Sequence, residues 1–573
     1  MAHWQPKRTM AEVDAILTAP GSPLEVETRL INGLLQRVYK NQWPSVRDFW
    51  LWSSKEYADK SYIVFENERF TYKDISQRAV KAAAMLVDLY SVRKGDRVAI
   101  CSRNYPEYLV VFWACHLIGA IPALPNAWLK TPAILHCLTL TQCKVIVLDA
   151  ERATLLEPII KKLTTEAKSN GVLVFRSREG KGHWKGMQSW DTVLGSYKHD
   201  GSKVLQNDPK LVPEDNAVIF FTSGTTGLPK AVLSTHRQYL TNTLNTIVAR
   251  RRAILRRGED IPIPSPDDPQ PGVLLAVPLF HVTGMSISFA GGKIVFMRKW
   301  NTKEAARLIR QEKLTSAGGV PSMSSDLIES ELVGYPLDGL SFGGAPTANI
   351  LLTRAQAAFP NVTVAQGYGL TETNSIATSE LPPLTKTDIC VLSKEGKLLP
   401  PGVNGEIFIR GCNVCVGYWR DPEATAKAIT KDGWLASGDL GYMDEEGFVY
   451  VRDRIKDIIV RGGENIDSTS VENGLFTEGV LEVAAIGVPD DRLGELVTAV
   501  VSVKPEYRDK LTEECLTDLA QSRLPKFAVP VMIVFQDELE KNAAGKIVKA
   551  GKLRDLVRRE WAKRGRRSSK AKL

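Results

Sequence analysis

The sequence predicts an α/β protein. It should have a large N-terminal domain of mainly parallel sheets covered by helices plus a small β-barrel, followed by a smaller α+β C-terminal domain. Three observations carry this. The 573 residues exceed what one hydrophobic core sustains. From Ser61 onward, short apolar runs alternate with amphipathic stretches, the pattern of strands and covering helices in a parallel sheet. After Lys456 the rhythm changes to that of a compact unit of about a hundred residues. The chain therefore divides into an N-terminal extension (1–45), a large domain (46–455), a small domain (456–550) and a basic tail (551–573).

The extension reads as one amphipathic helix around Val26 to Tyr39. Tyr62 to Phe65 and Arg69 to Tyr72 suggest a hairpin, Lys73 to Leu89 a helix, and Arg97 to Cys101 a strand. Tyr105 to Ile118 is a helix and Lys144 to Asp149 a strand, whereas 177–210 is polar and Gly-rich and reads as a surface excursion. Ala217 to Phe221 is a buried strand, and Thr235 can cap a helix from His236 to Arg250. The proline-rich segment from Arg256 to Pro271 reads as an exposed loop. Val273 to Val277, Lys293 to Met297 and Ala317 to Val320 continue the strand series, and Glu406 to Arg410 and Phe448 to Arg452 suggest short antiparallel strands of the barrel. In the small domain, strands near Ile458 and at Val483 to Val488, Val497 to Val503 and Val529 to Phe535 alternate with helices at Val471 to Phe476, Glu513 to Ser522 and the carboxyl end.

Composition excludes several classes. Ten Lys/Arg and two Asp/Glu lie between Lys552 and Leu573, so this tail holds eight of the nine formal positive charges. The folded body is then nearly neutral, and a nucleic-acid partner, which needs a basic face, is not expected. Eight scattered cysteines imply reduced thiols rather than a disulfide framework. Cys412 and Cys415 form a lone Cys-x-x-Cys with no second pair or nearby His to complete a zinc site. The most apolar segment, Tyr108 to Leu124, is broken by His116, Gly119 and Pro122, so no transmembrane span is expected.

The chemistry concentrates in Thr222-Ser223-Gly224-Thr225-Thr226-Gly227-Leu228-Pro229-Lys230, directly after the strand ending at Phe221. Four hydroxyls, two glycines and a lysine within nine residues can surround a polyphosphate with backbone amides, hydroxyl donors and an ammonium. The spacing is not that of the Walker loop.

Several further segments stand in a definite order. They are Gly343-Gly344-Ala345-Pro346, Gln366-Gly367-Tyr368-Gly369-Leu370-Thr371-Glu372, Gly433 to Asp439, Asp453-Arg454-Ile455-Lys456-Asp457, Arg461 to Ile466 and Asn542 to Lys546. Together with the loop they make the chain, from about residue 60 to 550, resemble the adenylate-forming superfamily. That superfamily includes acyl-CoA synthetases, coumarate-type ligases, beetle luciferases and peptide-synthetase adenylation domains. The wording around Pro278 to His281 resembles fungal peroxisomal acyl-CoA ligases in particular. The resemblance implies an ATP-dependent carboxylate–CoA ligase that forms an acyl-adenylate and then an acyl-CoA thioester, with Mg2+, ATP and coenzyme A required. It implies catalytic roles for Lys546, Thr371 and Glu372, with Glu372 also the metal ligand, an oxygen donor of the kind Mg2+ prefers. ATP contacts are implied for Thr222, Ser223, Gly224, Thr225, Thr226, Gly227, Lys230, Gly344, Ala345, Pro346, Gly367, Tyr368, Asp439 and Arg454. Tyr368 would stack on adenine and Asp439 accept the ribose hydroxyls. Lys456 is implied as the hinge of a mobile C-terminal domain, and Gly463, Glu464 and Asn465 as the loop presented to coenzyme A in the thioester step.

Pro278-Leu279-Phe280-His281 stands where peptide-synthetase domains carry an aspartate for a substrate ammonium. His281 offers no fixed negative charge, and no thiolation domain follows. The resemblance thus implies an unaminated carboxylic acid, a fatty acid or relative, with His281 and Gly343 in the acyl pocket and secondary-metabolite pathways among the settings. Three departures stand out. Only six residues separate Gly284 from Gly291, and Ala377 to Pro382 lacks a loop that relatives carry, so either the pocket is reshaped or coding segments are missing. Ala231 replaces a glycine, tolerable unless that residue needs a positive φ. A luciferase-like adenylating oxygenase and a catalytically impaired nucleotide-binding relative are the alternatives. The carboxyl end, Ala571-Lys572-Leu573, is close to the Ser-Lys-Leu address and implies a peroxisomal import receptor as partner and peroxisomal localisation.

Overall fold

The computed structural model describes residues 5–222, 228–262, 265, 268–275, 277–286, 291–344, 349–378, 387–542 and 545–564. Two mainly parallel sheets build the large domain. In the first, Asn216–Phe221, Ile121–Leu124, Arg97–Cys101, Val145–Asp149, Gly171–Phe175 and Gln188–Ser189 run parallel in that order. Ala231–Thr235 and Gly417–Tyr418 extend its other edge in antiparallel fashion. In the second, Thr363–Gly367, Gly339–Gly343, Ser316–Gly319, Gly272–Leu275, Lys293–Phe296 and Ser61–Phe65 are parallel, and Glu68–Thr71 closes the edge as the second arm of a hairpin. All the parallel strands of one sheet end on one edge, which is where α/β folds place ligands.

The helix Pro106–Ile118 shows why the core is continuous. Every residue of it except Glu107 is buried. A helix that is apolar all round has no face for water and must be enclosed by other elements. On it, Trp113 stacks on Trp50 at 4.1 Å between ring centroids, and its indole N–H donates to Tyr62 Oη at 3.1 Å. The stretch read as a surface excursion, 177–210, is mostly exposed as expected but is anchored to the core. Gln188–Ser189 joins the sheet, and Trp184 and Trp190 are buried. Two bulky indoles outweigh the polarity of their neighbours. The helix expected to end at Arg250 runs on to Arg256, whose side chain is buried, and so reaches the start of the expected loop. Thr235 caps that helix as expected, in a reciprocal pair with Gln238.

The expected helix around Val26 to Tyr39 is a β-hairpin, Val26–Ile31 paired with Leu34–Tyr39 through six residue pairs. Asn32 and Gly33 take φ of 49° and 81°, the left-handed pair of a type I′ turn. That Asn-Gly signal outranks the helical spacing of the flanking apolar residues. A helix does occur earlier, at Met10–Thr18, with Thr9 and Glu12 forming its capping box. Neither element is a loose appendage. Arg252 holds Asp14 through two bonds of 2.5 and 2.7 Å, and Arg37 reaches Asp388 at 2.5 Å. The small barrel expected from the sequence is a four-stranded antiparallel sheet, Thr387–Leu392, Gly405–Gly411, Leu435–Met443 and Val449–Arg454 in that order.

The small domain has its own core, from Ile459 to Ile533, with no member from the large domain. Its long hairpin, Val480–Asp490 with Gly494–Val503, is flanked by the helices Ser468–Leu475, Glu513–Arg523 and Arg554–Lys563. Among the described residues, no helix is long and apolar enough to cross a membrane.

Two histidines in the large-domain core make stability depend on pH. His116 hydrogen-bonds through neither ring nitrogen and lies 5.7 Å from the ring of His236, whose Nδ1 accepts from Val46 N at 3.2 Å. Burial lowers both pKa values, His236 to about 4. The unfolded chain takes up these protons near pH 6.5 while the folded chain does not, so stability is full above about 6.5 and falls toward 4, by roughly 3 kcal/mol for His236. His116 packs edge-on against Phe112 at 4.5 Å. His116→Phe is therefore expected to flatten the decline in urea midpoint between about pH 6.5 and 4.5, and an unchanged slope would refute the assignment.

Candidate active site

Thr222 and Lys230 close the base of the phosphate loop. Thr222 N donates to Lys230 O at 3.0 Å, and Lys230 N donates to Thr222 Oγ1 at 3.1 Å. This pair ends the antiparallel arm Asn216–Phe221/Ala231–Thr235 and sets both loop ends at the carboxyl edge of the first sheet. Ser223, Gly224, Thr225, Thr226 and Gly227 lie outside the described residues. Ala231 begins a strand and does not have a positive φ, so alanine fits there without strain.

Glu372 sits in the 3-10 turn Thr371–Thr373 with Thr371 beside it. Asn242, buried on the helix His236–Arg256, pins this turn by donating to Thr373 O at 3.1 Å and Ile376 O at 2.7 Å. Glu372 Oε1 accepts from Tyr418 Oη at 2.7 Å, and the Lys230 ammonium lies 4.7 Å from the centre of the same phenol ring. Tyr418 thus bridges the lysine of the loop and the predicted metal ligand. The sequence reading missed it. Its signal was the Gly417-Tyr418 pair, which forms the edge strand against Val232 and Leu233.

The second cluster forms where the second sheet meets the small sheet. Gly343 pairs with Gly367 on adjacent strands, and a side chain at 343 would come within 2.6 Å of Gly367 O. Tyr368 follows, and its hydroxyl donates to Asp439 Oδ2 at 2.7 Å. Arg454 Nε reaches Asp439 Oδ1 at 2.7 Å, from the position directly across the ladder. Both oxygens of a buried carboxylate are thereby oriented, each with lone pairs left for sugar hydroxyls. Gly344 has φ of +78°, and Lys546 packs against it: a β-carbon there would meet Lys546 Cε at 3.1 Å. Ala345 and Pro346 lie outside the described residues.

Lys546 comes from the small domain, yet its charge is felt at both Asp439 and His281 of the large one. Burial and the Arg454 guanidinium lower its pKa to about 8 against the pull of Asp439. Burial, helped by the same ammonium, holds His281 down at about 3, so its imidazole is neutral. The His281 segment is braced by Asn104, which the sequence reading also passed over. The buried carboxamide donates to Val277 O at 3.2 Å and accepts from Leu279 N at 2.8 Å. Because only the ammonium form of Lys546 can stabilise phosphate charge, adenylation in the free enzyme is expected to decline as pH rises through about 8. The alkaline limb of kcat/KM for ATP–pyrophosphate exchange measures this; a flat profile to pH 9.5 or so would contradict it.

The remaining predicted residues lie on other elements. Lys456 lies in the 3-10 turn Ile455–Asp457 between the domains. Gly463, Glu464 and Asn465 are exposed on the hairpin Ile459–Arg461/Glu464–Ile466. The structure thus seats Lys546 on Gly344 and leaves the hairpin predicted for the thioester step exposed. The shortened stretches, 285–290 and 377–382, lie largely outside the described residues, which omit 287–290 and 379–386.

The donor set suits a Mg2+–nucleotide complex. Among the described residues, no group of three or more His, Cys, Asp or Glu could cage an ion. Mg2+ usually takes one or two carboxylates and completes its shell with phosphate oxygens and water, and Glu372, with one oxygen held by Tyr418, offers such a ligand.

Comparison with known proteins places these features together. The family model described as AMP-binding enzyme matches residues 50–419, and that described as AMP-binding enzyme C-terminal domain matches 474–546. A long-chain-fatty-acid–CoA ligase of Bacillus subtilis is 32% identical over 533 residues, covering 87% of this chain and 92% of its own length. ATP-bound MatB from Rhodopseudomonas palustris has a TM-score of 0.75 at 25% identity, covering 90% of this chain and 99% of that one. The o-succinylbenzoate coenzyme A synthetase of Bacillus subtilis, solved with ATP and magnesium ion, has a TM-score of 0.72 at 25% identity, with 88% and 98% covered.

Proposed function

We propose, from the premise that this chain belongs to the AMP-binding enzyme family, how its two domains share one reaction. The chain is an AMP-forming acid–thiol ligase, with fatty acids or related carboxylic acids as the substrate class. The observation that carries the division of labour is the seat of Lys546, a small-domain residue, on Gly344 beside Asp439 and His281.

In the first half-reaction a carboxylate oxygen of the acid attacks the α-phosphorus of ATP, and the bond to pyrophosphate breaks. Little covalent chemistry falls to the protein, so positioning and charge neutralisation dominate. Asp439, held by Tyr368 and Arg454, receives the ribose hydroxyls. Thr222 and Lys230 set the loop that receives the outer phosphates, and Lys546 offers its ammonium to the developing charge and the acid. A Mg2+ on Glu372 would neutralise phosphate charge when bound. In the second half-reaction the small domain turns about Lys456, Lys546 withdraws, and the hairpin with Gly463, Glu464 and Asn465 faces the thiol. Coenzyme A sulfur then attacks the acyl carbon and AMP leaves. Neutral His281, with no charge to pair with an ammonium, supports an unaminated acyl chain in the adjoining pocket.

A panel of medium- and long-chain fatty acids and aryl acids, assayed for ATP consumption with and without coenzyme A, tests this. Acid-dependent pyrophosphate release and coenzyme A-dependent thioester formation are expected with a fatty acid. Release of pyrophosphate without thioester, or no acid-dependent ATP use, would overturn the reading. The fungal peroxisomal type, with a secondary-metabolite setting, belongs to the same proposal and draws support from the sequence around Pro278 to His281. So does peroxisomal import through Ala571-Lys572-Leu573, which lies outside the described residues. A fluorescent reporter ending in this tail should enter peroxisomes; cytosolic retention would refute the address.

A further inference from the structure

Four side chains from three separate segments meet behind Lys546, and the chemistry above uses none of them. Asp453 lies on the large-domain strand Val449–Arg454, Ser468 and Glu472 on the small-domain helix Ser468–Leu475, and Lys549 three residues beyond Lys546. Asp453 is 4% and Ser468 0% exposed, and the side chains of Glu472 and Lys549 are 14% and 17% exposed. Asp453 Oδ2 accepts both from Ser468 N at 2.5 Å and from Ser468 Oγ at 2.6 Å. The Lys549 ammonium donates to Ser468 Oγ and pairs with Glu472 Oε1 at 2.6 Å. Glu472 Oε1 also accepts from Ala485 N at 3.0 Å.

These contacts differ in what a domain rotation would do to them. Lys549, Glu472, Ser468 and Ala485 all belong to the small domain, so their bonds travel with it. Asp453 stays with the large domain, because its backbone is paired with Leu440 in the four-stranded sheet. Turning about Lys456 must therefore open the two Asp453–Ser468 bonds and leave the Lys549–Glu472 pair closed. Arg454, the neighbour of Asp453, holds Asp439. An unbroken line thus runs from the ribose carboxylate through the hinge to Ser468, Lys549 and the segment carrying Lys546. Burial pulls the Lys549 pKa down, but Glu472 and Asp453 outweigh it and raise the pKa above the ordinary lysine value.

We propose that Asp453 and Ser468 form the releasable half of a buried latch, and Lys549 with Glu472 the fixed half, that holds the small domain in the arrangement seating Lys546 on Gly344. They are positioning residues for adenylation, and the proposal rests on the ligase reading above. Loss of the releasable half should penalise the half-reaction that needs Lys546 seated and spare the one that needs it withdrawn.

The test uses the full chain with dodecanoate as acid and synthetic dodecanoyl-adenylate as intermediate. Ser468→Ala and Asp453→Asn are expected to lower ATP–pyrophosphate exchange about ten-fold, the scale for hydrogen bonds to a charged group. Coenzyme A-dependent consumption of dodecanoyl-adenylate should stay within about two-fold of the unsubstituted chain. Lys549→Arg, which keeps the charge and donors, should retain both. Equal loss of both half-reactions in Ser468→Ala, or loss of neither, overturns the latch. Thermal melts accompany each variant, and Ser468→Ala decides if Asp453→Asn fails to fold. Should the unsubstituted chain catalyse neither half, the ligase reading fails on its own. The latch is then judged by trypsin cleavage after Lys456, expected to be several-fold faster in Ser468→Ala and unchanged if no latch exists.

Discussion

Lys546→Ala is expected to lower acid-dependent ATP–pyrophosphate exchange by roughly 10²–10³, the range for removing one preorganised donor to developing charge. The structure supplies the reason for so large an effect. Lys546 approaches over Gly344, where there is no β-carbon to obstruct it, and lies within the electrostatic reach of Asp439 and His281. Burial has already removed part of the water around its ammonium before substrate binds, so less solvent need be reorganised as charge develops on the phosphate. Stability should change little, because the side chain is only half-buried and burial already disfavours its charged form. The same variant should convert a synthetic acyl-adenylate to thioester at nearly the unsubstituted rate, since the proposed domain rotation withdraws Lys546 for that step. Normal exchange in Lys546→Ala would remove the residue from the mechanism, whereas equal loss in both half-reactions would assign it a structural role.

Glu372→Gln is expected to lower exchange by about 10²-fold and to raise the Mg2+ concentration giving half-maximal rate, since an amide is a poor ligand for a hard cation. Tyr418→Phe keeps the ring beneath the Lys230 ammonium but removes the donor that orients Glu372 Oε1. It should shift the Mg2+ requirement in the same direction by about ten-fold, as outer-shell partners of a metal ligand do. Titrating exchange against Mg2+ at fixed ATP, with Mg2+-dependent quenching of tryptophan fluorescence as a second readout, measures both. If Glu372→Gln keeps the unsubstituted Mg2+ profile, the cation is held elsewhere.

Much of the site was legible in the chain because its parts are local. A loop of hydroxyls and glycines after an apolar strand is recognisable within a dozen residues, and so are the Gly-Tyr-Gly-Leu-Thr-Glu and Asp-Arg-Ile-Lys segments. Each depends only on backbone freedom and donor type. Local readings failed where two short-range signals competed. The apolar spacing of Val26 to Tyr39 argued for a helix, but the Asn32-Gly33 turn and six cross-strand pairs won. At 177–210 average polarity hid two buried tryptophans, because composition does not say which few residues supply the packing.

By itself the sequence determined the strand–helix alternation, the two-domain division and the residue types able to bind a nucleotide, since these follow from periodicity, turn chemistry and side-chain donors. Only the tertiary structure decided which of them meet. Tyr418 reaches Glu372 because a two-residue strand joins the far edge of the first sheet, and Lys546 reaches Gly344 because the small domain folds back over the second. Asp453, Ser468 and Lys549 converge at the hinge for the same reason. Strand order and domain placement depend on how whole faces pack against one another, and no local stretch of sequence carries that information.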